Sequence, residues 1–180
     1  MVYEFLAPGF EIAEAMTPYD ILLRAGADVK LVSITKDLTV RSAQGVCVTA
    51  DLCIDKLGGA VPEMIVLPGG MPGAQNLHDH PLVRQYLLDA AMRGNTIGAI
   101  CAAPFVLGSL GLLAGRKATC YPGFEDRLTD AIFVGGKVAV DGNIITSAGM
   151  GCAQEFGYAL ACAYAGRESA NRVMKQVMAE

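Results

Sequence analysis

The chain has 180 residues, of which 53% are hydrophobic and 18% charged, and its net charge is −4. This composition excludes a disordered chain, and the acidic balance argues against nucleic-acid binding, which requires a basic surface. No apolar run is as long as a membrane span and the first residues do not form a signal peptide, so one cytoplasmic domain, residues 1–180, is expected.

The first part of the chain predicts a strand, a helix and a second strand. Val2–Leu6 is a short, mostly apolar strand, and residues 10–25 place apolar side chains at helical spacing, with Gly26 as the C-cap. Pro18 should bend this helix near Glu14, because proline cannot donate a backbone hydrogen bond. Residues 29–34 predict the next strand, and a strand–helix–strand unit of this kind joins parallel neighbours.

The middle of the chain alternates between irregular and strongly apolar segments. Residues 38–53 predict short strands or an edge hairpin with a bend at Gly45. Met64–Leu67 and Thr96–Ile100 are short apolar runs, as expected of central strands that are covered on both faces. A helix is predicted between them over residues 81–93.

The last part of the chain predicts a helix from Pro104, strands at residues 117–120, 132–134, 138–140 and 144–146, and helices at residues 152–164 and 168–178. Asp141-Gly142-Asn143 is typical of a hairpin turn. Because strands and helices alternate along the chain, the predicted fold class is α/β, a doubly wound sandwich with a mostly parallel central sheet.

Cys101 stands between an apolar strand and the start of a helix. Ala102 and Ala103 are small enough for a sharp turn, and Pro104 suits the first turn of a helix. A cysteine here is the thiol counterpart of a nucleophile elbow, and the helix N-terminus would favour its thiolate. The alternative interpretation is a cysteine that only packs in the core. The remaining cysteines form no C-x-x-C pair and are interpreted as free thiols: Cys47, Cys53, Cys120, Cys152 and Cys162.

A second loop, containing Gly69 and Gly70, is expected at the same edge of the sheet as Cys101. Ligands gather beyond the carboxyl ends of parallel strands, and this loop follows such a strand. The N–H groups of Gly70 and Ala102 could stabilise an oxyanion formed when a thiolate attacks a carbonyl group. The alternative interpretation of the two glycines is a plain turn.

Glu14 is the candidate catalytic carboxyl group. It lies beside the bend predicted from Pro18, and in its protonated form it could hydrogen-bond a thiolate and later shuttle a proton. A solvated helix glutamate is the alternative. Glu11 falls in the first turn of the same helix, where its charge would offset the helix dipole.

The chain has only two histidines, His78 and His80. Neither follows Cys101, so the downstream cysteine–histidine arrangement of amidotransferases is not available. Two histidines are too few for a metal site, and their polar surroundings predict a solvent-exposed loop, so neither a metal nor a cofactor is expected.

Four groups of residues are spread over nearly the whole chain in one order. They are Ala7-Pro8-Gly9-Phe10-Glu11 with Glu14, Pro18 and Asp20; Val66-Leu67-Pro68-Gly69-Gly70 with Gly73-Ala74-Gln75-Asn76-Leu77; Ala99-Ile100-Cys101-Ala102-Ala103-Pro104; and Thr146-Ser147 with Gly149, Gly151 and Glu155-Phe156. In these residues the chain resembles the ThiJ/PfpI superfamily, in its DJ-one branch, which includes the parkinsonism-associated deglycase.

The resemblance implies a flavodoxin-like sandwich, a homodimer, and Cys101 as a reactive, oxidation-prone thiol. It also implies that Glu14 hydrogen-bonds to this thiol and that Gly70 and Ala102 supply N–H groups. Peptidases of the superfamily have histidine where this chain has Ala102, which argues against peptidase activity. Some deglycases have histidine where this chain has Tyr121, whose ring could line the pocket but is a poor base near neutrality.

Three functions follow from these residues and the resemblance. The first is a cofactor-independent glyoxalase or deglycase in which Cys101 attacks a small reactive carbonyl compound or a glycated protein and Glu14 moves protons. The alternative is a non-enzymatic oxidative-stress sensor or chaperone that uses an oxidisable Cys101. A cysteine peptidase is the third and least favoured.

Overall fold

The structure is a computed structural model that describes residues 1–179. The strands are β1 (Val2–Leu6), β2 (Val29–Ser33), β3 (Thr39–Arg41), β4 (Cys47–Thr49), β5 (Leu52–Cys53), β6 (Met64–Leu67), β7 (Thr96–Ile100), β8 (Lys117–Ala118), β9 (Ile132–Phe133), β10 (Val138–Asp141) and β11 (Ile144–Ser147). The α-helices are α1 (Ile12–Arg24), α2 (Gly73–Asp79), α3 (Pro81–Met92), α4 (Pro104–Ser109), α5 (Ala153–Ala165) and α6 (Arg167–Gln176).

A seven-stranded sheet runs through the centre of the molecule in the order β5-β2-β1-β6-β7-β11-β10. All neighbours are parallel except the edge strand β10, which is antiparallel to β11 across the predicted hairpin turn. Its parallel strands β2-β1-β6-β7-β11 have the 2-1-3-4-5 order of flavodoxin-like folds. The predicted doubly wound sandwich is therefore confirmed.

The two faces of the sheet carry separate apolar clusters. Tyr3 and Phe5 of β1 face one side, where they join apolar residues of α2, α3 and α4 in one core. Val2 faces the other side and joins Leu22 of α1 and Phe156 of α5. Side chains alternate along a strand, so a central strand that is covered on both faces needs apolar residues at nearly every position.

Helix α1 brings Glu14 to the sheet. The side chain of Glu11 caps this helix by accepting the backbone N–H of Glu14 at 2.7 Å. Pro18 lies inside α1 as predicted, and Ala25 rather than Gly26 is its C-cap. Gly26 follows at a φ of +87°, where the chain reverses direction. The predicted bend near Glu14 stays a prediction.

Other boundaries differ modestly from the sequence-based expectations. Residues 38–53 form the antiparallel hairpin β3–β4 and the short strand β5, within the range predicted. Helix α2 was not predicted, because only Ala74 and Leu77 of its seven residues give an apolar signal. The predicted strand over residues 117–120 is paired only at Lys117 and Ala118. No helix within residues 1–179 is long and apolar enough to cross a membrane.

Candidate functional site

The loops after β1 and β6 interlock at the carboxyl edge of the sheet. The backbone N–H of Glu11 donates to the carbonyl of Gly69 at 3.0 Å, and the N–H of Gly69 donates to Glu14 Oε2 at 3.0 Å. Two contacts in opposite directions therefore fix the start of α1 against the Gly69–Gly70 loop. This fixed geometry directs the Glu14 side chain into the protein, where it is only 1% exposed.

Cys101 occupies a strained turn between β7 and α4. Its φ of 65° lies in the left-handed region, which costs a residue with a side chain about 1–3 kcal/mol. Its N–H donates to the carbonyl of Ser147 at 2.8 Å, and this bond continues the pairing with β11 one residue beyond the end of β7. The backbone thus supports the predicted elbow, and α4 begins three residues later, at Pro104.

The Glu14 carboxyl group and the Cys101 thiol hydrogen-bond to each other. Burial raises the pKa of Glu14 to about 7, and the hydrogen bonds from the thiol and from the N–H groups of Gly69 and Met150 oppose this rise. Burial also raises the pKa of Cys101 to about 12, with the charge of Glu14 as the next cause. The two groups consequently share one proton across the neutral and moderately alkaline range.

The helix N-terminus does not keep Cys101 as a thiolate when Glu14 is ionised, so this prediction is wrong for that state of the pair. The N–H groups of Gly70 and Ala102 do lower the pKa of the thiol, but burial and the neighbouring carboxylate raise it by more. Helix α4 has only six residues, so its dipole is short. Cys101 is therefore a thiolate only when Glu14 holds the proton. The protonated form of Glu14 is also the form that the sequence analysis expected to hydrogen-bond the thiolate.

Gly69 and Gly70 are required by close packing at the site. A Cβ atom on Gly69 would stand 2.5 Å from Glu14 Oε2 and 2.6 Å from the Cβ of Cys101. Gly70 has a φ of +84°, and a Cβ atom there would stand 2.5 Å from the backbone nitrogen of Glu11. The two residues thus do more than form a turn, since they let the backbone approach both reactive side chains.

Tyr121 stands at the edge of the same site, half-exposed. Its N–H donates to the carbonyl of Cys101 at 2.8 Å. Tyr121 Cδ2 lies 3.3 Å, and Glu14 Oε1 4.0 Å, from the point where a Cβ on Gly149 would be. The ring and the carboxyl group therefore both border the space beside Gly149, and the role of Tyr121 in lining a pocket stays a prediction.

The sequence did not single out the loop after β11 as part of the site. Met150 supplies a backbone N–H to Glu14, and Ser147 accepts the N–H of Cys101. Backbone contacts of this kind do not depend on the side-chain type and leave little trace in a sequence. The usable signal was the position of residues 147–150 directly after a parallel strand, at the edge where ligands gather.

The two histidines lie in and just beyond α2, not in the predicted exposed loop. His78 Nδ1 is 2.8 Å from Asp79 Oδ1, and its ring centroid is 5.2 Å from that of Phe105. His80 is the C-cap of α2, and burial lowers its pKa. Within residues 1–179 no three histidine, cysteine or acidic side chains converge as a metal site would require.

With this geometry established, known proteins give a consistent match. A model of the DJ-1/PfpI family matches residues 1–163. The chain belongs to the DJ-1/PfpI family. The resemblance seen in the four groups of residues is thus confirmed.

Relatives in the DJ-1/PfpI family differ in length and in name. Protein DJ-1 homolog B of Arabidopsis thaliana is 36% identical over 93% of this chain and 39% of its own length, so the chain spans less than half of that relative. A Caenorhabditis elegans protein named glutathione-independent glyoxalase DJR-1.2 is 30% identical over 92% of this chain and 88% of its own length. The oxidised form of Toxoplasma gondii DJ-1 superposes with a TM-score of 0.95 at 36% identity, covering 98% of this chain and 97% of that one.

Proposed function

We propose that the chain is a cysteine-dependent enzyme of the glyoxalase or deglycase type, which converts α-oxoaldehydes or their early protein adducts to α-hydroxy acids. One observation carries the proposal: a thiol on a strained turn hydrogen-bonds to the buried Glu14, whose pKa is about 7. A group with a pKa near the working pH can accept a proton and return it. The Caenorhabditis elegans relative named a glyoxalase supports this type of reaction.

Formation of a carbon–sulfur bond is the first step. Sγ of Cys101 attacks the aldehyde carbon while the thiol proton passes to Glu14. The carbonyl oxygen gains the electron pair of its π bond and then takes the proton from Glu14, which gives a hemithioacetal and leaves Glu14 ionised. In the free protein the N–H groups of Gly70 and Ala102 hydrogen-bond to the sulfur of Cys101. During the attack they would stabilise the negative charge that forms on the carbonyl oxygen.

The hemithioacetal then isomerises within the substrate. The hydroxyl proton passes from the oxygen on the sulfur-bound carbon to the neighbouring ketone oxygen. The sulfur-bound carbon loses a proton and the neighbouring ketone carbon gains it, so the first carbon is oxidised and the second reduced. Glu14 is the group that carries this proton. Water then cleaves the resulting thioester and releases the α-hydroxy acid and the Cys101 thiol. For methylglyoxal the sum is methylglyoxal plus water giving lactate, a balance that needs no cofactor.

The test measures lactate formed from methylglyoxal by the purified chain. Cys101→Ala is expected to abolish lactate formation, whereas Cys162→Ala is a matched control, because Cys162 is also a partly buried free thiol but belongs to α5. Equal turnover by the wild type and Cys101→Ala would contradict the proposal.

Oxidation sensing is the second candidate function, and the accessibility of Cys101 favours it. The thiol is partly exposed and has backbone N–H donors beside it, which would also stabilise a sulfenate or sulfinate. The Toxoplasma gondii relative is known in an oxidised form. Mass spectrometry after mild peroxide treatment should show Cys101 modified before the other five cysteines, and uniform modification of all six would contradict this function. A peptidase is less well supported, because Ala102 follows the thiol.

We further propose that the chain works as a cytoplasmic homodimer. Membership of the DJ-1/PfpI family supports this proposal. Light scattering on the purified chain should give a mass of twice 18.8 kDa, and a monomer at all protein concentrations tested would rule out the dimer.

A further inference from the structure

Residues 121–127, here called the strap, connect the rim of the site to helix α4. At one end, Tyr121 donates its N–H to the carbonyl of Cys101 at 2.8 Å. Between the ends, the N–H of Phe124 donates to the backbone carbonyl of Tyr121 at 3.1 Å, and the N–H of Arg127 donates to the backbone carbonyl of Phe124 at 3.0 Å. The strap is thus a short chain of turns, and a shift at Arg127 would be transmitted to Tyr121.

The far end of the strap is fixed on α4 by Arg127. Its guanidinium carbon lies 3.5 Å from the centre of the buried Phe105 ring and 5.6 Å from that of Phe124. The backbone carbonyl of Arg127 also lies so close to Gly108 that a Cβ atom on this glycine would collide with it. Arginine suits this position because its planar cation can stack on an aromatic face, which a lysine does less well.

Arg127 also contacts the helix that follows the Gly69–Gly70 loop. Its Nη2 is 3.5 Å from Oε1 of Gln75 in α2, and Gln75 in turn donates to Asp79 Oδ1 at 2.9 Å. Helix α2 follows the loop that contacts Glu14, and α4 follows Cys101. A single exposed side chain therefore links the strap to the two helices that extend from the site.

We propose that Arg127 is a positioning residue for substrate size: by stacking on Phe105 it holds the strap in place and keeps the Tyr121 ring beside Gly149, at the edge of the Cys101–Glu14 site. The ring lies beside Gly149, with its Cδ2 3.3 Å from the point where a Cβ atom on that glycine would be. With Arg127 in place the thiol reacts with small carbonyl compounds and is shielded from bulky ones. The inference rests on the proposed function for its substrate class, but the shielding of the thiol can be measured without any turnover.

The test compares how fast a small and a bulky thiol reagent reach Cys101. The rates of labelling by iodoacetamide and by a pyrene maleimide are followed by mass spectrometry of the peptide that contains Cys101, in the wild type and in Arg127→Met. Methionine keeps an apolar stem but removes the cation and its planar face. Arg172→Met is the matched control, since Arg172 pairs with Glu168 on the exposed surface of α6.

In Arg127→Met the maleimide rate should rise about fivefold relative to the iodoacetamide rate, the size expected when one partly exposed cation–π contact is lost. Arg172→Met should leave the ratio of the two rates unchanged. An unchanged ratio in Arg127→Met, or an equal acceleration by both reagents with a lower melting temperature, would overturn the inference, because Arg127 would then only stabilise the fold.

A second measurement separates this inference from the proposed function. If the wild type converts both methylglyoxal and phenylglyoxal, Arg127→Met should lower the KM for phenylglyoxal more than that for methylglyoxal. Absence of turnover in the wild type would count against the proposed enzyme while the labelling ratio still decides the role of Arg127.

Discussion

The Glu14 carboxyl group and the Cys101 thiol hydrogen-bond to each other at the carboxyl edge of the sheet. They come from distant parts of the chain, since Glu14 is carried by α1 and Cys101 follows β7. Because each group changes the proton affinity of the other, the pair has to be studied as one titrating unit.

The first prediction concerns the pH dependence of Cys101 alkylation. The first proton leaves the pair with a pKa of about 7. The rate should therefore rise about tenfold per pH unit below pH 7 and then level off, because the second proton is held up to a far more alkaline pH. Iodoacetamide labelling between pH 5 and 10, read from the Cys101 peptide, measures this profile.

Glu14→Gln should remove this plateau. The thiol then titrates alone in its buried position, and its alkylation rate continues to rise above pH 7. Glu11→Gln is the control: the charge of Glu11 is one of the causes that raise the pKa of Glu14, so its removal should keep the plateau but move its onset to lower pH. A plateau at the same pH in Glu14→Gln would show that the two groups do not share a proton.

The second prediction concerns stability and pH. The folded-state pKa of Glu14 is raised from 4.5 to about 7, so its contribution to the free energy of unfolding is fully present below pH 4.5 and is lost as the pH rises through 7. The loss is about 3 kcal/mol from a shift of this size. From pH 5 to pH 8 the free energy of unfolding should fall less in Glu14→Gln than in the wild type, by roughly that amount. Urea unfolding of both proteins at the two pH values measures the difference. Parallel losses in both proteins would contradict the assignment.

The third prediction concerns Glu4, a buried acid that the proposed reaction does not use. It is 0% exposed in the central strand β1, and neither carboxylate oxygen has a hydrogen-bond partner among residues 1–179. Burial raises the pKa of Glu4 well above its usual value. The free energy of unfolding therefore falls as the pH rises, because the unfolded chain releases the Glu4 proton more readily than the folded one. Glu4→Leu should increase the free energy of unfolding by about 1–3 kcal/mol at pH 8, and by less at pH 5.

Denaturant unfolding of Glu4→Leu at both pH values measures this gain. Glu168→Leu provides the control, since this glutamate is exposed on α6 and its replacement should change stability by less than about 0.5 kcal/mol. A destabilised Glu4→Leu protein at pH 8 would mean that the carboxyl group has a partner in solution.

The fourth prediction tests the close packing at Gly69. A Cβ atom there would stand within 2.6 Å of both Glu14 Oε2 and the Cβ of Cys101. Gly69→Ala should therefore separate the pair, abolish the plateau in the alkylation profile and cost about 1–3 kcal/mol of stability. Gly151→Ala is a sharp control, because Gly151 follows Met150 in the neighbouring loop and has open space around it. Its alkylation profile should match the wild type.

Much of the framework could be predicted because its causes are local. Strands β1 and β6 were predicted at their observed bounds from short apolar runs, and β7 likewise. Helix α2 was missed since its short buried face carries too little periodicity, and its position depends on contacts of Gly73 with Gly9 after β1. Such a contact joins distant parts of the chain, so no local pattern indicates it.

The sequence by itself determined the order of the strands and of the helices apart from α2, the sharp turn at Cys101, and Glu14 as its candidate partner, because side-chain periodicity and turn residues act over a few positions. Only the tertiary structure decided that the thiol is protonated beside an ionised Glu14, since burial and the distance between charges set a pKa. It also decided that Arg127 stacks on Phe105, a contact that exists only once α4 and the strap lie side by side.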